Sequence, residues 1–170
     1  MSREIEFRGI KIYSNEWVYG NLIQNEKGEK YIIPFNVIEE DGHHLVINSD
    51  IPVFIKQETV GQYTGLKDKN GVKIFEGDIL EAVVNNSIDL RLKGEPKCIA
   101  HWTVEYKCFQ NNIGFMVYGK DRRWNKLLMR NMIYNCKVQV IGNIYENPEL
   151  LSKEQNNEGK KQDNTGKKEV

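Results

Sequence analysis

Gln62-Tyr63-Thr64-Gly65-Leu66-Lys67-Asp68-Lys69-Asn70-Gly71-Val72-Lys73-Ile74-Phe75-Glu76-Gly77-Asp78-Ile79-Leu80 is the densest piece of structural instruction in this chain. Asn70 and Gly71 reach positive φ at low steric cost, and Asp68 can hydrogen-bond its own backbone, so this segment is punctuated as a tight turn before Val72–Phe75. Glu76, Gly77 and Asp78 interrupt the chain again. Ile79 to Val84 follows as a β-leaning run, short enough for a strand. The local instruction is strand, turn, strand, turn, strand.

Working outward, Ile5, Phe7 and Ile10 begin a first strand, and Trp17-Val18-Tyr19-Gly20-Asn21-Leu22-Ile23 is rich enough in aromatic and branched residues for a second. A turn at Asn25–Gly28 returns the chain through Lys30–Ile33. Pro34 is expected to end that strand, because it cannot donate to a ladder. Phe35 to Asp41 fits no single element. His44–Asn48 and Val53–Ile55 read as short strands. Asn85 to Pro96 reads as a long connection. Cys98 to Phe109 alternates, placing Cys98, Ala100, Trp102, Val104, Tyr106 and Cys108 on a core-facing side and Ile99, His101, Thr103, Glu105 and Lys107 on the other. Asn111-Asn112 and Gly114 signal a hairpin into Phe115–Tyr118. Trp124 to Ile133 is expected to be a helix, Tyr134 to Tyr145 a strand, and Asn147-Pro148 its end.

Several of these blocks together carry a resemblance. Glu16-Trp17-Val18-Tyr19-Gly20, Tyr31-Ile32-Ile33-Pro34, the Gln62–Leu80 stretch and Val140-Ile141-Gly142-Asn143-Ile144-Tyr145-Glu146-Asn147-Pro148-Glu149-Leu150 fall in order along the chain. In this the sequence resembles the YopX family, small proteins of phages and prophages of Gram-positive bacteria, over roughly residues 3–151. The resemblance implies a mostly β, barrel-like fold and a phage or prophage origin. It carries over no catalytic residues.

Composition narrows the classes of function. The chain has 170 residues with 24 Lys plus Arg against 24 Asp plus Glu, so a uniformly basic, polyanion-binding coat is excluded. The length suits one domain with a real core, over residues 1–151. Residues 152–170 hold almost nothing to bury and are expected to be a disordered polar tail. The charged start, Met1-Ser2-Arg3-Glu4, lacks a signal peptide's apolar segment, and no run is long enough for a membrane helix; a bacterial cytoplasm is the expected location, with no membrane partner. Cys98, Cys108 and Cys136, odd in number and widely spaced, suit thiols in a reducing compartment.

No motif for chemistry stands out. A zinc site from Cys98, His101, Cys108 and Cys136 conflicts with the alternation, which sends His101 away from the cysteines, while zinc ligands must converge within about 2.0–2.3 Å of one point. No cofactor or metal is expected, and His43-His44 reads as an exposed loop pair. Glu76 and Asp78 bracket Gly77 as a carboxylate pair, but turn formation and strand entry account for both. Gly65–Lys73 lacks the phosphate-loop spacing, and neither a nucleophile elbow nor a zinc-protease helix is present.

The clearest binding signal is a basic segment with aromatics, residues 118–130, in which Lys120, Arg122, Arg123, Lys126 and Arg130 would neutralise phosphates while Tyr118 or Trp124 stacks a base. Its bland counterpart is a solvated loop with Trp124 anchored in the core. Together these readings give an all-β, mainly antiparallel domain, barrel-like or of two sheets, with one short helix. The favoured function is a non-enzymatic accessory protein contacting a host or phage protein. Nucleic-acid binding through 118–130 ranks second and an enzyme without a recognisable motif third. The sequence leaves room for a homo-oligomer.

Overall fold

A computed structural model describes residues 4–40, 43–48, 51–85, 97–109, 112–119 and 125–151. Residues 86–96 of the connection expected over Asn85 to Pro96, the basic-segment residues Lys120, Arg122, Arg123 and Trp124, and the tail from 152 onward lie outside the described residues.

Two antiparallel sheets make up the architecture. The first contains β1 (Phe7–Ile10), β2 (Trp17–Gln24), β3 (Lys30–Glu40), β4 (His43–Asn48), β5 (Val53–Phe54), β6 (Gly61–Lys67) and β7 (Lys73–Phe75), in the order β4-β3-β2-β1-β6-β7 with β5 paired to β3. The second contains β8 (Asp78–Asn85), β9 (Lys97–Phe109), β10 (Asn112–Gly119), β11 (Asn125–Leu127) and β12 (Gln139–Asn143), in the order β11-β10-β9-β8-β12. A short helix, α1 (Arg130–Asn135), leads from β11 toward β12. Of the two packings the sequence allows, the two-sheet form is the one adopted.

The first sheet curls strongly. β5, held against β3, returns to the end of β1 through a Lys11–Ile55 bridge, with the Lys56 N–H donating to the Ile10 carbonyl at 2.8 Å. Val18, Ile32 and Ile55 are enclosed within this curl. The curvature needs a strand without side-chain bulk: a Cβ on Gly20 would lie 1.9 Å from the Ile33 carbonyl oxygen. The larger core joins the second sheet to β7, uniting Ile74, Leu80, Ala82, Trp102, Val104, Phe115, Val117, Leu128, Ile133 and Val138. Removing one such aliphatic side chain from water stabilises by about 1.5–3 kcal/mol.

The turn at Asp68 forms as its residues dictate. Asp68 Oδ1 accepts the Asn70 and Val72 N–H groups at 2.7 and 2.9 Å, and Gly71 takes φ +86°. Its Oδ2 accepts the Val140 N–H at 3.0 Å, so the same side chain also ties the hairpin to β12. β9 and β10 pair from Phe109–Asn112 to Trp102–Gly119, the hairpin expected from the Asn and Gly signals.

Five readings are corrected. Pro34 does not end its strand: β3 continues to Glu40, because Pro34 is the last residue paired to β2, and from Phe35 the strand pairs with β4. A proline without an N–H is tolerated at such a change of partner. His43 and His44 belong to β4 rather than a loop. The helix expected over Trp124–Ile133 is displaced to Arg130–Asn135, since Lys126 and Leu127 pair with Val117 and Met116, and the Leu128 N–H donates to the Phe115 carbonyl at 2.8 Å. The strand expected from Tyr134 therefore begins only at Gln139. Finally, the core-facing side of β9 is shorter than its alternation suggests: Trp102 and Val104 are buried, whereas Tyr106 and Cys108 run past the core and are exposed.

Candidate binding cleft between the sheets

At the junction of the sheets, β1, β2 and β7 on one side and β8 and β12 on the other border a cleft of about 360 Å³. Trp17, Tyr19, Phe75, Asp78, Gly142, Asn143 and Glu146 line it, so three of the four sequence blocks that carry the family resemblance converge here, all but Tyr31–Pro34.

Its floor is an ion pair. Arg8 reaches from β1 to Asp78 at the start of β8, with Nη2 2.6 Å from Oδ1, and the two side chains are 8% and 1% exposed. The approach is an ionic contact rather than an aligned hydrogen bond, and Nη2 also donates to the Glu76 carbonyl at 3.0 Å. Asp78 Oδ2 accepts the Phe75 N–H at 2.7 Å. The guanidinium lies 4.5 Å from the Trp17 ring and 4.9 Å from the Phe75 ring, so its planar faces are covered by aromatic carbon. Arg8 Nε is buried and has no hydrogen-bond partner among the described residues. Burial raises the Asp78 pKa above the ordinary carboxylate value, and the attraction of Arg8 only partly offsets it.

The wall beside it is a hydrogen-bonded loop. Trp17 Nε1 donates to Glu146 Oε2 at 2.9 Å and Asn143 Nδ2 to the same oxygen at 2.6 Å, while Asn143 Oδ1 accepts the N–H groups of Tyr145 and Glu146, each at 3.0 Å. These donors, Trp17 first, hold the Glu146 carboxyl below its usual pKa. Across the cleft Lys73 binds Glu4 at 2.6 Å and also Glu6. Glu76 stitches the sheets as well, its two oxygens accepting the Gln62 and Tyr106 N–H groups at 3.1 and 3.0 Å. Tyr19 and Val72 are the exposed apolar members of the lining, 42% and 50% exposed.

A general acid must reach its substrate, and Asp78 is sealed beneath Arg8; Glu146 and Glu76 already accept protein donors. The acidic pair flagged by the sequence thus joins the sheets, a role beyond the turn formation read there. Its signal was the pairing of Arg8, a charged residue inside a strand pattern, with an acidic residue at a strand entry.

Of the basic and aromatic residues singled out by sequence, Tyr118, Lys126 and Arg130 are among the described residues. Tyr118 is 7% exposed, with Lys107 Nζ 5.0 Å from its ring centre, so it offers no open face for a base. Lys126 and Arg130 are exposed, on β11 and at the start of α1. His101 Nδ1 donates to the Leu150 carbonyl at 2.9 Å, and Cys136 is half-buried, with burial raising its thiol pKa. Among the described residues no three His, Cys, Asp or Glu side chains gather as metal ligands, and no helix is long and apolar enough to cross a membrane.

A family model described as YopX protein matches residues 6–152. The chain is also similar to a solved structure, the crystal structure of protein EF1440 from Enterococcus faecalis, at a TM-score of 0.52 and 25% identity, covering 88% of this chain and 99% of that one. No curated protein matches the chain.

Proposed function

The chain belongs to the YopX family, and on that premise we propose that it is a phage or prophage accessory protein that works by binding another protein rather than by catalysis. The observation that carries this reading is the commitment of the cleft's ionisable groups to the protein itself: Asp78 to Arg8, Glu146 to Trp17 and Asn143, and Lys73 to Glu4 and Glu6. What remains available at the mouth is the apolar surface of Val72 and Tyr19 beside the exposed Glu146. A complementary partner presents an apolar side chain beside a basic one.

The test is a nuclease-treated capture from host cells with wild type, Val72→Ala and Val72→Arg run in parallel. Val72 is half exposed, so both variants should keep the wild-type thermal midpoint. The expected result is a nuclease-resistant partner kept by Val72→Ala and lost by Val72→Arg, which adds bulk and a repelling charge. Identical capture by all three chains overturns the assignment of binding to this cleft.

A further inference from the structure

A second concavity, of about 510 Å³, opens on the other flank of the β6–β7 hairpin, between its turn and α1, and shares no lining residue with the cleft. Lys67, Lys69 and Arg130 line it and are exposed. Among the described residues none of the three has a carboxylate within ion-pairing distance. The one acidic residue of the lining, Asp68, is buried, and its carboxylate is taken up by the N–H groups of Asn70, Val72 and Val140. Lys67 also stands directly across from Lys73 in the β6–β7 pair, a like-charge pairing that costs stability. Lys73 is relieved by Glu4 and Glu6, whereas Lys67 is left facing the groove.

One aromatic side chain of the groove is open. Tyr134, on α1, is 72% exposed, next to the buried Ile133, which fixes the helix to the core. Cations that form no ion pair among the described residues, with Lys67 acting on Glu4 only at longer range, stand beside a flat exposed ring and match a phosphate attached to a base. The volume exceeds what a lone phosphate fills.

We propose that this groove binds single-stranded nucleic acid, Lys67, Lys69 and Arg130 contacting successive phosphates and Tyr134 stacking a base. The chain is electrically neutral overall, so the affinity comes from this local excess of cations and falls steeply with salt. The site differs from the basic segment apparent in the sequence: it keeps Arg130 from that segment and adds Lys67, Lys69 and Tyr134, which the fold brings together across some sixty residues of chain.

The full chain is titrated with a fluorescent thymidine decamer across a salt series, beside thymidine monophosphate and a polyglutamate of equal charge. Binding of the decamer is expected, with the slope of log K against log salt flattened by roughly 2 in the Lys67→Gln/Lys69→Gln/Arg130→Gln variant, about 0.7 per lost contact. Tyr134→Ala should weaken binding roughly 5- to 150-fold, while Tyr134→Phe keeps it. The four positions are exposed, so an unchanged thermal midpoint confirms that the variants remain folded. No salt-sensitive binding of the decamer, or a slope that the triple variant leaves unchanged, overturns the proposal. Equal affinity for the monophosphate removes the strand from it, and equal affinity for polyglutamate replaces nucleic acid by an acidic protein.

Discussion

Arg8 and Asp78 meet across the two sheets with Nη2 2.6 Å from Oδ1, and both side chains are withdrawn from water. Taking two charges out of water costs several kcal/mol each, and their attraction returns that only in part. The raised Asp78 pKa is the local expression of this imbalance. The two residues should therefore respond unequally to substitution. Arg8→Met leaves an uncompensated buried carboxylate and is expected to cost about 3–5 kcal/mol in denaturant unfolding near neutral pH. A loss below about 1 kcal/mol would mean that the pair is solvated in solution. Adding Asp78→Asn to Arg8→Met should recover much of the stability.

Asp78→Asn alone should behave differently. Because the folded-state pKa of Asp78 lies above its unfolded value, the protonated side chain is the better-tolerated form. Its contribution to stability is fully present below about pH 3.8 and is lost as pH rises through the folded pKa. An asparagine mimics the protonated form and can still accept the Phe75 N–H. The stability of Asp78→Asn relative to wild type should thus increase as pH rises through that window and then level off. A relative stability that instead falls with rising pH would show that Arg8 outweighs burial.

Two glycines separate crowding from backbone strain. Gly20→Ala drives a methyl group onto the Ile33 carbonyl oxygen, a backbone atom that cannot move without unpairing β2 from β3. Its cost should be about 3 kcal/mol or more, at the upper end for overpacking. Gly71→Ala meets no atom within 4 Å but must hold φ +86°, so a loss of about 1–2 kcal/mol is expected. Thermal unfolding of both variants checks the order, and Gly71→Ala emerging as the worse would contradict the packing around Gly20.

Trp102 offers a test of how well alternation reads burial. Its side chain is 4% exposed in the larger core, so Trp102→Ala should cost about 3–5 kcal/mol. An effect under about 1 kcal/mol would remove it from the core.

That position also shows what the sequence makes legible. Alternation along β9 places Trp102 and Val104 inward, and the turn chemistry of Asp68, Asn70 and Gly71 fixes the β6–β7 hairpin, because both are short-range effects. The start of α1 was not readable in the same way. Leu127, Leu128 and Met132 have helical spacing, yet β10 offers an open edge that takes residues 126 and 127, a long-range pairing that local propensity does not register. The cleft was visible only as blocks in order along the chain. Nothing in the spacing of Arg8, Trp17, Asp78 and Glu146 shows that they converge, since that depends on how the two sheets meet.

The hydrogen bond from Trp17 to Glu146 can be read at a single carboxyl group. The indole N–H is the foremost cause of the lowered Glu146 pKa, ahead of the Asn143 amide, and burial acts in the opposite direction. Trp17→Phe keeps an aromatic ring beside Arg8 but deletes the donor, so the Glu146 pKa should rise toward its ordinary value. Carboxyl-carbon NMR titration measures this directly. The sign for stability follows: a depressed folded pKa contributes stability that is present above the unfolded value and is lost as pH falls through the folded one. Wild type should accordingly lose more stability than Trp17→Phe on acidification below about pH 4.5. Glu146 is largely open to solvent, so salt should shrink the difference between the two. An unmoved Glu146 titration in Trp17→Phe would transfer the effect to Asn143 and remove Trp17 from the wall of the cleft.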